Sequence, residues 1–395
     1  MQSADFIIHS SGRLIQTPLG YGAYIPGPLE PALDLDISLV RRLSAADRAL
    51  SELAGIARTL PNPHLLIGSF VRREAVLSSR IEGTQASFSD LLFFEAANVG
   101  ERDVPDVREV ANYVQALEYG IARLRELPLS LRLIREMHER LLSGVRGEKQ
   151  TPGEFRRSQN WIGPPGCTLI DATYVPPPED EMKQALNDLE RYLHAKSSVP
   201  PLIRLALIHY QFEAIHPFLD GNGRIGRLLT TLLLYTEGLL PQPFLYLSAF
   251  FERYRDDYYR LLLQVSQRGS WTEWISFFLR AIEVQSKDAI ARSAQLLHLW
   301  REYRALLQEA RASALLLQLV DNLFAYPAIT NVGASRRLNI TPRSSQLNIE
   351  KLVAAGILKE VTGQKRNRLY MAPRIIEIIE QRESDADSAM DNNEA

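Results

Sequence analysis

One histidine, one aspartate and two arginines fall within a single short string, His216-Pro217-Phe218-Leu219-Asp220-Gly221-Asn222-Gly223-Arg224-Ile225-Gly226-Arg227. Imidazole titrates in the range a proton acceptor needs at neutral pH, which makes His216 the candidate base. Asp220 offers hard oxygen to a cation such as Mg²⁺. Gly221, Asn222 and Gly223 tolerate left-handed backbone, so their N–H groups can converge on an anion at the start of a helix. Arg224 and Arg227 are spaced to share one face of that helix's first turn. Cations there oppose the helix dipole and are costly unless an anion is bound. The string reads as a phosphate site that carries its own base.

Two buried helices must hold that loop. Pro200-Pro201 opens an apolar helical pattern through Leu202, Leu205, Ile208 and Phe212, and Leu228 to Tyr235 continue as another until Glu237-Gly238. Asp-Gly-Asn-Gly alone is a common turn. The whole string, however, resembles the signature of the Fic family, His-Pro-Phe-x-Asp/Glu-Gly-Asn-Gly-Arg-x-x-Arg, at every fixed position. Nine fixed positions at roughly 5 % each put chance agreement on the order of one in a billion.

The resemblance extends along the chain. A helix from His64 to about Ile81, with Leu66, Phe70, Leu77 and Ile81 on one face, should end at Glu82-Gly83. A carboxylate at a helix C-terminus is unfavourable unless a cation sits beside it. Ser78, Glu82 and Gly83 look like the inhibitory motif of regulated Fic proteins, Ser/Thr-x-x-x-Glu-Gly/Asn, and Glu74-Ala75 also resembles the N-terminal Fic-associated region. Residues 145–178 are rich in Gly and Pro around two short extended pieces, 159–162 and 168–175, which predict a hairpin. It is similar to the Fic flap that pairs with a target's backbone, with Leu169 and Ile170 as the docking strand. The resemblance further implies that Arg253, Tyr258 and Tyr259 border an adenine pocket, and that Phe218 anchors the loop. His138, on a helix capped by Ser130, reads as structural, and no His/Cys cluster has metal-ligand spacing.

Residues 1–35 read as extended loop, and a first amphipathic helix as running from Ile37 to Leu60, ended by Pro61-Asn62-Pro63. A core helix around Trp271 to Leu279 is expected to precede a long one from about Ala281 to Gln308. Beyond Arg311, three helices and a hairpin made of Ile357–Val361 and Arg368–Met371 resemble a winged helix-turn-helix. Between Thr330 and Ala372, eight Lys/Arg stand against Glu350 and Glu360, 8 − 2 = +6, a balance suited to DNA. The expected fold is therefore mainly α: a Fic-type helical bundle with a β-hairpin flap, plus a C-terminal winged helix domain. Its boundaries are a Fic-associated region over 1–110, a Fic core over 111–290, a linking helix over 291–310, the winged domain over 311–383 and a disordered tail over 384–395.

Whole-chain properties set the frame. The 395 residues carry a net charge of −2, so no global field advertises nucleic acid or membrane. One cysteine, Cys167, excludes an internal disulfide framework, and with no signal peptide or spanning stretch visible the expected location is cytoplasmic. The resemblance implies a protein adenylyltransferase that uses ATP and Mg²⁺ to modify a Tyr, Thr or Ser hydroxyl of a protein, itself included. His216 would be the base, Asp220 the metal ligand, residues 221–227 the phosphate grip, with Arg227 on the γ-phosphate, and Glu82 the inhibitor. Fic-type transfer of another phosphate-linked group, such as phosphocholine or uridylyl, remains an alternative. From another class comes a nucleotide-sensing, DNA-binding regulator. A homodimer is also compatible with the helical surface.

Overall fold

The computed structural model describes residues 5–7, 11–29, 31, 33, 35–59, 64–96, 104–310, 312–364 and 367–381. The expected tail, the 61–63 break, the Arg311 boundary, Lys365 and Arg366 lie outside these residues. In place of the loop expected at the N-terminus there is an antiparallel hairpin, β1 (Gly12–Gln16) and β2 (Gly22–Pro26), with Leu14 opposite Tyr24. Pro18 and Gly20 make its turn, Gly20 at φ +87°. They read as breakers of structure because turn chemistry and loop chemistry share residue types.

Helices follow in order: α1 (Ile37–Thr59), α2 (His64–Ile81), α3 (Phe88–Ala96), α4 (Pro105–Arg123), α5 (Leu131–Leu141), α6 (Glu179–His194), α7 (Pro201–Ile215), α8 (Asn222–Thr236), α9 (Ser248–Arg253), α10 (Arg255–Arg268) and α11 (Trp271–Glu309). The core helix and its expected extension are one helix, α11, of 39 residues. Ser130 caps α5 as read, accepting from the Leu133 N–H at 3.4 Å. Two compact units divide the chain, one made of residues 1–59, 74–86 and 104–286, the other of 60–73, 87–103 and 287–395. These differ from sequential boundaries because α2 gives one stretch to each unit.

In the first unit α7 and α8 form the centre. Nearly every residue of α7 is buried, Leu202 to Ile208 without a break, the pattern of a helix enclosed on all sides. Helices α4, α5 and α6 pack around this pair. Between α5 and α6 the expected hairpin is reduced to one antiparallel bridge, Ile162 with Tyr174. Two turns interrupt it. Pro164 and Pro165 lack N–H groups, and residues 168–171 close a turn in which Thr168 Oγ1 donates to Asp171 Oδ2 at 2.8 Å. Leu169 and Ile170 therefore sit in a turn, not in a strand, with Ile170 77 % exposed.

The second unit holds α12 (Ala314–Ala325), β3 (Ala328–Thr330), α13 (Asn331–Leu338), α14 (Pro342–Ala354), β4 (Lys359–Glu360), β5 (Leu369–Met371) and α15 (Pro373–Glu380). Its strands form an antiparallel sheet in the order β3-β5-β4. Thr330 and Thr341 cap α13 and α14 through their hydroxyls, which fixes the entry of both helices. Strand β3, three residues long, is too short to mark itself; helix α15 opens on Pro373 and buries Ile375, Ile376 and Ile379 on one face, a pattern the sequence carries beyond the expected hairpin. No described helix is long and apolar enough to cross a membrane.

Candidate active site

The loop joining α7 to α8 is held by its own side chains. His216 ends α7 in left-handed backbone, φ +47°, and Gly221 caps α8 at φ +80°. Asn222 closes the loop on itself: Oδ1 accepts from the Phe218 N–H and Nδ2 donates to the Phe218 carbonyl, both at 2.8 Å. Its side chain is thus structural, which leaves only its backbone for an anion. Phe218 is fully buried and stacks on His138 with centroids 3.7 Å apart, the anchor that was expected.

His138 does more than fill space. Its Nδ1 accepts from the Gly153 N–H, so Nε2 carries the proton and donates to the Asp220 carbonyl, each at 2.9 Å. Burial keeps the ring neutral by lowering its pKa to about 4. Arg156 lies in the stretch 153–156 that resembles the start of the Fic flap, but no local pattern marks it as a site residue. It is buried against the end of α7, donating to the His216 carbonyl at 2.9 Å and the Pro177 carbonyl at 2.5 Å. Asn160 Nδ2 adds a bond to the Phe218 carbonyl at 2.8 Å. Helix end, catalytic loop and flap base are thereby tied together.

His216 itself donates from Nδ1 to the Glu213 carbonyl at 3.3 Å. A carbonyl can only accept, so Nε2 bears the free lone pair and points away from α7's backbone. Burial, reinforced by the Arg156 charge, lowers its pKa to about 4. The ring is therefore neutral at pH 7, with the Nε2 lone pair free.

Asp220 Oδ1 accepts from the Gly221 N–H at 2.6 Å and from Arg224 at 3.2 Å. Arg224 is 1 % exposed and also meets Glu109 at 3.4 Å, an acid on α4 that sequence spacing could not single out. No group of three metal-ligating side chains occurs among the described residues. One carboxylate at an anion site nevertheless fits Mg²⁺, which commonly takes one or two carboxylates and completes its shell with phosphate oxygens and water.

Arg227 meets Glu82, the expected inhibitor. Its Nη2 donates to Glu82 Oε1 at 2.7 Å and to the Ser78 carbonyl at 2.9 Å, and Nε donates to Ser78 Oγ at 2.8 Å. Burial disfavours charge on Glu82, yet the Arg227 guanidinium prevails and holds its carboxyl below the usual range. The same carboxylate lies against Gly223, in the space a side chain would occupy there. Glu82 thus occupies the anion position at the start of α8. Gly83, at φ +94°, ends the helix that delivers it. Helix α2 is pinned farther back by Glu74, which accepts from Ser248 Oγ at 2.5 Å and Tyr113 at 3.1 Å.

Two expected nucleotide contacts turn inward. The Ile225 side chain is buried, and its N–H is spent on the Gly221 carbonyl at 3.0 Å. Tyr258 is 1 % exposed and donates to His209 Nε2 at 2.9 Å. His209 Nδ1 then donates to Thr230 Oγ1 at 3.0 Å, and Thr230 to the Gly226 carbonyl at 3.0 Å. Tyr258 is a core residue, because its hydroxyl completes that relay. Tyr259 and Arg253 are exposed.

Comparison with known families agrees with this arrangement. Residues 40–122 match the model for the Fic/DOC family N-terminal segment, and residues 128–234, which contain the loop, match that of the Fic/DOC family. The chain carries a Fic domain. It is homologous to proteins named protein adenylyltransferase Fic: that of Drosophila ananassae is 33 % identical over 146 residues, and that of Drosophila virilis 34 % over 146 residues. These matches cover 36 % of this chain and only 27 % and 28 % of the fly proteins. The fold is shared with a Fic family protein from Desulfovibrio desulfuricans G20, TM-score 0.57 at 18 % identity, over 87 % of this chain and 98 % of that one. Fic-1 (residues 134–508) from C. elegans aligns at TM-score 0.52 and 20 % identity, over 65 % of this chain and 74 % of that one.

Proposed function

We propose that the Fic domain transfers AMP from ATP to a Tyr, Thr or Ser hydroxyl of a protein, and that Glu82 restrains the reaction. The observation that carries this reading is the Glu82–Arg227 pair at the α8 N-terminus, facing a neutral His216. Fic homologues named as protein adenylyltransferases support ATP as the substrate. The target oxygen attacks the α-phosphorus, the bond from that phosphorus to pyrophosphate breaks, and the hydroxyl proton passes to His216 Nε2. Arg156 holds the His216 backbone through its carbonyl, and the Glu213 carbonyl holds the ring for that transfer. Backbone amides of Asn222 and Gly223, with Arg224, stabilise charge on the phosphates. Asp220 would hold Mg²⁺, which supplies charge neutralisation on the phosphates when bound.

The test uses ATP labelled in either the α- or the γ-phosphate, with Glu82→Gly protein. Adenylyl transfer predicts protein-bound label from the α-phosphate alone. Label from the γ-phosphate would mean phosphoryl transfer and overturn the reading.

The C-terminal unit supports a second reading, duplex DNA binding by a winged helix. Its element order from α12 on is helix, strand, helix, helix, strand, strand, helix. Arg336, Arg343 and Lys351, on α13 and α14, are exposed, a basic surface suited to phosphates. Retardation of a duplex that weakens steeply with salt would support it, and its absence at low salt would refute it.

A further inference from the structure

Glu213 has no place in the mechanism above apart from its backbone carbonyl, yet its side chain reaches the same anion site. The carboxyl lies against Gly226, one turn along α8 from Gly223, where the Glu82 carboxylate lies. Both glycines leave room on one face of α8, since residues three apart are neighbours on a helix. Two carboxyl groups therefore line the first turn of α8, with Arg227 beside both. Glu213 Oε1 is sealed from solvent without a hydrogen-bond partner, and so is Arg227 Nη1. The residue as a whole is half-buried.

Two buried orphans in one site indicate an arrangement completed by something else. The charged and titratable groups facing Glu213 are Arg227 on α8, Glu82 beyond α2, and Tyr258 and Tyr259 on α10. Burial raises the Glu213 carboxyl to about 8, with the Glu82 charge adding to the rise and Arg227 opposing it. A phosphate in place of Glu82 brings at least as much negative charge to the same spot. An ionised Glu213 would then face an anion, whereas the neutral acid carries an O–H that can donate to it.

Resting on the reading of this site as an ATP site, we propose that Glu213 is a nucleotide-contacting residue. As the neutral acid it donates a hydrogen bond to the phosphate group that replaces Glu82 on Arg227. Loss of that phosphate lets Glu213 ionise and turn to Arg227 itself, so phosphate binding is coupled to proton uptake.

Calorimetry of ATP binding to the full chain tests this, in Glu82→Gly protein with and without Glu213→Gln or Glu213→Leu. Runs at about pH 7.5 and about pH 9, in buffers of different ionisation enthalpy, give the number of protons taken up. The terminal phosphate, with a last pKa near 6, contributes little there. The expected result is uptake approaching one proton in Glu82→Gly protein at the higher pH, with affinity falling as pH rises. Glu213→Gln keeps a donor without a titrating group, so it should bind ATP at both pH values with no uptake. Glu213→Leu should lose on the order of tenfold in ATP affinity at the lower pH while still melting cooperatively. Equal proton uptake with Glu213→Gln, or unchanged affinity with Glu213→Leu, would overturn the role of Glu213 and leave the ATP site standing. Glu82→Gly protein that binds no ATP at either pH would refute both.

Discussion

Replacing Glu82 by Gly removes one carboxylate from Arg227 and leaves the arginine's other anchors in place. Ser78 still receives the Nε and Nη2 hydrogens, at 2.8 and 2.9 Å, so the guanidinium keeps its orientation. The change lies just past the last residue of α2, where glycine costs no helix propensity. What disappears is one charge-assisted bond of 2.7 Å to an arginine that is 1 % exposed. Such bonds contribute about 1.5–3 kcal/mol. If Glu82 must leave before a phosphate can take its place, that energy is a toll on the productive complex. Its removal raises the rate by roughly 10- to 150-fold. Initial rates of self-labelling at equal, saturating ATP measure the gain, and Glu82→Gln, which keeps an acceptor but loses the charge, should fall between. A Glu82→Gly rate no higher than wild type would show that Glu82 is an ordinary helix-end carboxylate and that its pairing with Arg227 does not restrain turnover.

Asp220→Ala should lose most transfer activity and most Mg²⁺ or Mn²⁺ dependence, read by metal titration; full activity in excess EDTA would contradict the metal assignment. Ile162→Pro should weaken target modification more than ATP binding, because it removes the N–H that bonds Tyr174 at 2.9 Å. Ile170→Pro, in an exposed turn, should do little to either, and the two sets of binding and labelling curves separate these cases. Burial holds the Glu74 carboxyl up at about 7. The folded protein therefore keeps a proton that the unfolded chain releases nearer pH 4.3. That contribution to stability is full below the unfolded value and falls as pH rises through 7, by up to about 1.4 kcal/mol per pH unit. Glu74→Gln should flatten the decline of melting temperature between about pH 5 and pH 7; an unchanged slope would place the titration elsewhere.

The central loop was legible because its chemistry is contiguous: base, acid, glycines and arginines follow one another, and two apolar helices flank them. The partnership of Glu82 with Arg227, 145 residues apart, was legible because each end breaks the same dipole rule in opposite senses and because Ser78, Glu82 and Gly83 resemble the Fic inhibitory motif. Arg156, Asn160 and Glu109 were not, since a polar residue brought in from another element looks like any solvated surface residue until the chain is folded. Composition misled where one residue type serves two purposes. Pro18 and Gly20 form a hairpin turn and not an open loop. In the flap, β-type residues at 168–170 were captured by a hydroxyl–carboxylate turn that local alternation does not reveal. Tyr258 read as a pocket residue, but the buried His209 supplies the acceptor that draws its hydroxyl inward.

The account rests most directly on His216 as the base of an AMP transfer released by loss of Glu82. Peptide mass spectrometry of Glu82→Gly protein, and of Glu82→Gly combined with His216→Ala, after incubation with ATP and Mg²⁺ decides it. The account predicts an AMP adduct on a Tyr, Thr or Ser side chain in the first and none in the second, although both bind ATP. Equal adducts in the two proteins would contradict it.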